Sequence, residues 1–220
     1  GKVPQPPVQP DQRPLARVVE GFRYVRQNRL VLATITLDLF AVLLAGSTAL
    51  LPVFARDILH VGADGLGLLA ASMGIGAAVM AIFFSVRPME NEVGLKMLAA
   101  VMLFGVSMIV FGLSTSFWLS VGALTVAGAA DMVSVYVRQS LIQLHTPDAM
   151  RGRVSAVSQL TISASNELGE AESGFLASIL GPVGAVVFGG VGAIIVTVIW
   201  VGLFPELRAA RTFTPPVQKV

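Results

Sequence analysis

The chain has 220 residues, of which 55% are hydrophobic and only 13% charged, and its net charge is +2. Soluble domains carry about 25% charged residues, and a mean hydropathy of +0.78 argues against a soluble all-helical protein. Cysteine is absent, which rules out disulfides and thiolate metal sites, and so small a net charge calls for no nucleic-acid partner.

Residues 1–14, GKVPQPPVQPDQRP, hold five prolines and no apolar core, so they read as a Pro-rich linker and not as a signal peptide. Residues 15–29 place Leu15, Val18, Val19, Phe22 and Val25 at helical spacing, with Arg17, Arg23 and Arg26 largely elsewhere around the helix. This stretch reads either as an amphipathic helix on the membrane surface or as a juxtamembrane extension of the first span.

Six apolar runs follow, at about 30–54, 66–86, 95–113, 117–144, 154–180 and 183–204. A hydrocarbon core about 30 Å thick needs roughly 20 apolar residues of helix, so each run can cross a bilayer. Ser114-Thr115-Ser116 alone parts the third run from the fourth, and Gly181-Pro182 alone parts the fifth from the sixth. Links so short make antiparallel neighbours. The fold class is therefore all-α integral membrane, with residues 205–220 left as a tail.

Lys and Arg orient the bundle. With the N-terminal side cytoplasmic, Arg56 is the sole basic residue on the outer side, so both ends are expected in the cytoplasm. Small residues mark where helices approach closely. Ala185, Gly189 and Ala193 recur every four residues in the last run, and Gly67, Ala71, Gly74 and Ala78 do similar work in the second. His60 and His145 lack a second ligand at metal spacing, and both read as interfacial residues.

Acids inside the runs demand an explanation, because lipid does not accept them. Asp38 lies about 12 Å into the first span. Asp131 lies near the middle of the fourth, and Arg138 returns to nearly the same face about 10 Å further on. The fifth run carries Ser163, Asn166, Glu167, Glu170 and Glu172, and Glu167 and Glu170, three apart, share a helix face. Two readings stand side by side. In one, carboxylates bind and release protons or hold a substrate cation. In the other, Arg138, basic residues at helix ends or interhelical hydrogen bonds neutralise them. Asp131, Glu167, Glu170, Asp38, Arg138 and Asn166 are the candidates for substrate binding or proton coupling.

The stretch LHTPDAMRGRVSAVSQLTISASNELGEAESGFLASILGP (144–182) resembles the region around the tenth and eleventh helices of the major facilitator superfamily. The similarity is greatest to the drug:proton antiporter branch that includes a bacterial siderophore exporter and macrolide efflux proteins. EGFRYVRQNRLVLATITLDLF and FPELRAARTFTPP are similar to the entry into the seventh helix and to the C-terminal tail of that branch. The resemblance implies that the six runs are helices seven to twelve of a twelve-helix transporter, built as two three-helix inverted repeats with a substrate site between halves. It further implies a multi-pass protein of the bacterial inner membrane that exports an amphipathic small molecule by proton antiport. Its partners would be protons, the substrate, lipid and an N-terminal six-helix half, with no cofactor and no enzymatic reaction. The loop SVRPMENEVGLK keeps Arg87 and Lys96 from the family's gating motif but not its pattern. These two, with Arg151 and Arg153 of TPDAMRGRV, are candidates for the inner gate or for topology. A uniporter or lipid transporter on the same fold, and a non-transporting truncated or helper module, are the alternatives.

Overall fold

A computed structural model describes residues 14–45 and 47–213, which leaves all but Pro14 of the Pro-rich linker outside the described residues. Helix α1 (Pro14–Gln27) breaks at Asn28 and α2 (Arg29–Ala45) follows. The break is capped, because the Asn28 side-chain oxygen accepts a hydrogen bond from the Val31 N–H. Beyond α2 the chain tightens into a 3₁₀ turn (Ser47–Leu50), the one-turn α3 (Leu51–Val53) and a π-helical turn (Phe54–Ile58). Pro52 within α3 brings no N–H to the ladder, and the Leu59 N–H reaches back five residues to the Phe54 carbonyl. Then come α4 (Ala63–Val86), α5 (Val93–Leu113), α6 (Phe117–His145), α7 (Asp148–Leu203) and the short α8 (Pro205–Ala209). The described residues include no strand.

Helix α7 contains two crossings. Were it straight, its 56 residues would extend about 84 Å, far beyond a bilayer core. Gly181 interrupts it at φ 75°, ψ 166°, a left-handed conformation that a Cβ disfavours, and Pro182 follows. The contacts show a reversal. Gly169 packs on the Leu43 backbone and Gly189 on that of Leu44, although a straight helix would hold those glycines about 30 Å apart. Likewise, Arg153 near the start of α7 touches α1, and Trp200 near its end donates to the Ala33 carbonyl in α2.

The helices form a closed set. α4 packs on α6, α6 on α5, α5 on α7 and α7 on α2, and α2 touches α6 to complete it. Arg29 bonds both the Leu203 carbonyl (3.1 Å) and the Glu206 carboxylate (2.7 Å), so the start of α2 meets the end of α7 and the start of α8 at one end. This is the basic end of the bundle, since Arg87, Lys96, Arg151, Arg153 and Arg208 belong to it too. One apolar core near it gathers Leu37, Met97, Val101, Leu141, Val196 and Leu207. A second core towards the opposite end gathers Leu51, Phe54, Leu69, Phe111 and Leu124, with Phe54 and Phe111 stacked at 4.6 Å. Phe104 packs against both cores. Outward-facing Val79, Ile82, Val86, Trp118 and Phe175 are each more than half exposed, as a lipid-facing wall requires.

Among the long helices, α4 and α6 cross with their backbones in direct contact. A Cβ on Gly128 would collide with the Met73 backbone, and one on Gly76 with the backbone of Thr125. Backbones that touch directly gain dispersion contact without displacing side chains. Gly67 and Gly74, picked out by their spacing, face open space. The packing glycine of α4 is Gly76.

Candidate functional site

Asp38 lies nine residues beyond Arg29, about 14 Å from the basic end and therefore near mid-depth. Asp131 is the central residue of α6. Ser134 and Arg138 follow it at steps of three and four, which stack the three side chains on one face of α6. That face meets α2, where Arg138 forms an ion pair with Asp38. Asp38 is 5% exposed and Arg138 4%, so the pair is shielded from lipid and solvent alike. The geometry decides between the two partners open to Arg138, since its ion pair is with Asp38 in the neighbouring helix and not with Asp131 on its own.

Asp131 nevertheless belongs to the same place. A cavity of about 10 Å³ is lined by Asp38, Ala41 and Val42 from α2, Val101 and Phe104 from α5, and Ala130, Asp131 and Ser134 from α6. That is near the smallest space that accepts one water. Asp131 has no ion pair or hydrogen bond among the described residues. The buried Ser134 hydroxyl and the Arg138 Nε also lack a hydrogen-bond partner there. Buried polar groups are nearly always satisfied, so the unmet Ser134 hydroxyl in the lining and the unmet Arg138 Nε one turn further along α6 mark a polar centre built between apolar cores. Taken fully ionised, the centre holds two acids and one base.

A second polar group lies elsewhere. Asn166, Glu167 and Glu170 are all exposed on the first limb of α7. Ser165, Gly169 and Ser173 occupy its buried side, with Gly169 pressed against the backbone of α2. Ser163, Glu167, Glu170, Gly174 and Ser178 therefore form one polar and small-residue strip turned away from the bundle, while Leu168 and Phe175 form an apolar strip beside it. Glu170 accepts a long hydrogen bond from the Thr48 hydroxyl (3.5 Å). The structure does not bring this strip together with the Asp38–Arg138 pair, because α2 lies between α6 and α7. Glu172 turns inward and keeps one carboxylate oxygen buried and unpartnered.

Basic residues at the end of the bundle divide by what they hold. Arg153 binds Glu20 at 2.7 Å and clamps α1 to α7, and the Tyr24 hydroxyl adds a bond to the His145 carbonyl (2.7 Å). Arg151 braces the α6–α7 turn through Asp148 (2.6 Å) and the Gln143 carbonyl (3.2 Å). Arg87 and Lys96 flank the α4–α5 connection and form no ion pair among the described residues. Ser134 is the site residue that sequence reasoning missed. Its place three after Asp131 and four before Arg138 was the available signal. The described residues hold no group of His, Cys, Asp and Glu able to bind a metal.

A buried ion pair and an unpaired acid between helices are features of membrane transporters, and the comparisons with known proteins agree. The family model described as transmembrane secretion effector, within the major facilitator superfamily, matches residues 3–213. The chain belongs to this family. It is 31% identical over 217 residues to the enterobactin exporter EntS of Citrobacter koseri, covering 96% of this chain and 50% of that protein. It is 30% identical over 216 residues to the enterobactin exporter of Escherichia coli O1:K1, with the same coverage. The chain thus spans about half the length of the curated relatives it matches. An all-helical bundle with apolar helices of spanning length fits one half of such a transporter.

Proposed function

We propose that this chain forms the C-terminal half of an exporter that moves an amphipathic small molecule out of the cell in exchange for protons. One observation carries the reading: Asp38 and Asp131 line a single small cavity at mid-depth, and the one base beside them, Arg138, is paired with Asp38. An uncompensated charge in an apolar interior is costly. A proton on one carboxylate makes the centre neutral, and its release restores the charge. Proton uptake here and cargo binding along another face are then linked through movement of the helices that carry them.

The parts divide the work. Arg138 holds Asp38 and fixes α2 against α6. Asp131 is the carboxylate free to take up and release the proton, with the Ser134 hydroxyl beside it as a relay. The strip bearing Asn166, Glu167 and Glu170 faces outward from this half and lines the substrate path opposite the other six helices. The two groups move relative to one another as the halves rock about a site at mid-depth. Arg151 and Arg153 keep the inner turns in place. Both ends lie in the cytoplasm of a multi-pass inner-membrane protein, a reading supported by the meeting of α1, α2 and α8 at the basic end.

The test uses the full-length protein in proteoliposomes that enclose a pH-sensitive dye, with enterobactin supplied as cargo because that is what the relatives are named for. Cargo added against a proton gradient is expected to produce proton movement in wild type. Asp131→Asn is expected to abolish that movement while leaving the protein folded in the membrane. Cargo movement with no accompanying proton flux in wild type would assign the chain to a uniporter.

A further inference from the structure

Another feature lies on the outer wall of the bundle, where Ala130 of α6 separates it from the small cavity against α2. Helices α4 and α5 lean on α6 and make little contact with each other. Between them runs a groove of about 650 Å³. Phe83 and Phe84 form one wall and Leu103 the other, and the short side chains of Ala99, Ala129 and Ala130 leave its base open. It opens sideways, since Phe83 is 50% and Leu103 48% exposed. Its mouth at the basic end is ringed by Arg87, Lys96, Glu90 and Asn91. Both cations are exposed, neither has an ion pair among the described residues, and Glu90 is the sole acid of the lining.

We propose that this groove is a binding site for an anionic phospholipid, with an acyl chain along Phe83, Leu103 and the alanine base and the phosphate between Arg87 and Lys96. An apolar slot of this kind in a membrane wall takes hydrocarbon. The charge at its mouth selects the head group. Two cations against one carboxylate leave an excess of one positive charge, which a singly charged phosphodiester neutralises, as basic pockets between spanning helices do for acidic lipids. A choline lipid carries its own cation and gains nothing there. The inference is independent of the cargo and of the coupling ion.

The experiment is native mass spectrometry of the full-length protein titrated with phosphatidylglycerol or phosphatidylcholine. Wild type is expected to retain phosphatidylglycerol in preference to phosphatidylcholine. The double variant Arg87→Gln/Lys96→Gln is expected to bind phosphatidylglycerol about thirtyfold more weakly and phosphatidylcholine no differently. Ala99→Phe, which fills the base and leaves both cations, is expected to weaken phosphatidylglycerol as well. Equal retention of the two lipids by wild type would overturn the proposal, and that comparison needs no variant to fold. Unchanged phosphatidylglycerol binding in either variant would overturn it too. So would the absence of bound lipid, which would mean that protein covers the groove in the whole transporter.

Discussion

Asp38 and Glu167 are both acids within apolar stretches, yet the fold treats them in opposite ways. Asp38 is almost fully enclosed and has its counter-charge in Arg138, on a helix that touches its own. Glu167, like Asn166 and Glu170 around it, is exposed and points away from the bundle. The first group has its counter-charge within this chain and the second has none among the described residues beyond one long bond from Thr48 to Glu170, although lipid is as hostile to one as to the other. An acid that the bundle encloses can hold helices together or store a proton. An acid on the outside of a membrane half needs a polar neighbour that the half does not supply, and a water-filled path between two halves is such a neighbour. Asp131 lies between the extremes, because the bundle encloses it without pairing it.

Mutations can break this comparison or sharpen it. The largest effect is expected at the enclosed pair. Arg138→Met leaves Asp38 buried and alone, and removing one partner of such a pair costs about 3–5 kcal/mol. Thermal unfolding of the purified protein followed by tryptophan fluorescence should show it as a clear drop in midpoint. Asp38→Leu in the same chain should recover much of the loss without restoring transport. A wild-type midpoint for Arg138→Met alone would mean that the pair does not hold the bundle. Gly128→Ala comes next. It forces α6 away from the Met73 backbone at about 1–3 kcal/mol, in line with overpacking in a tight core. The same unfolding assay reads it, and cysteine crosslinking between α4 and α6 would report the separation. Because the shift moves Asp131 with its helix, proton coupling should weaken while the α7 strip stays in place. Glu20→Gln should cost no more than about 1 kcal/mol, since its bond to Arg153 is partly exposed. The smallest stability effect belongs to the strip. Glu167→Gln should change stability by less than about 0.5 kcal/mol and still lower export in vesicles. A large loss of stability there would end the contrast between the two regions, and full export activity would remove Glu167 from the path.

The class of the fold was legible because each apolar run is long enough to be a crossing and the links between them are short. Gly181-Pro182 was legible too, as the pair that parts the fifth run from the sixth, and the structure adds that Gly181 is left-handed. Helix rotation was not legible. Asp38 and Arg138 are far apart in the sequence, and only the turn of α2 and α6 about their axes brings them together. Asp131 and Arg138 do share a face, as their spacing says, but the nearer partner for the guanidinium came from another helix. The same limit explains Gly67 and Gly74. Their spacing marks a smooth strip on α4 without saying which way it turns, and in the structure α6 meets Gly76 instead. Ser134 has no charge to draw attention to it and emerges only once Asp131 and Arg138 are seen on either side of it.

Gly181 has one more consequence. A turn of one left-handed residue leaves no slack between the limbs of α7, so neither can slide along the other. The second limb is seated on α5 and, through Gly189, on the backbone of α2. Gly169, between Glu167 and Glu170, seats the first limb on the backbone of the same helix, so a tilt of α2 is expected to carry the hairpin and its strip of Asn166, Glu167 and Glu170. A change of charge at the enclosed centre would in this way reach the outward face as displacement, with no chain of side chains needed to relay it.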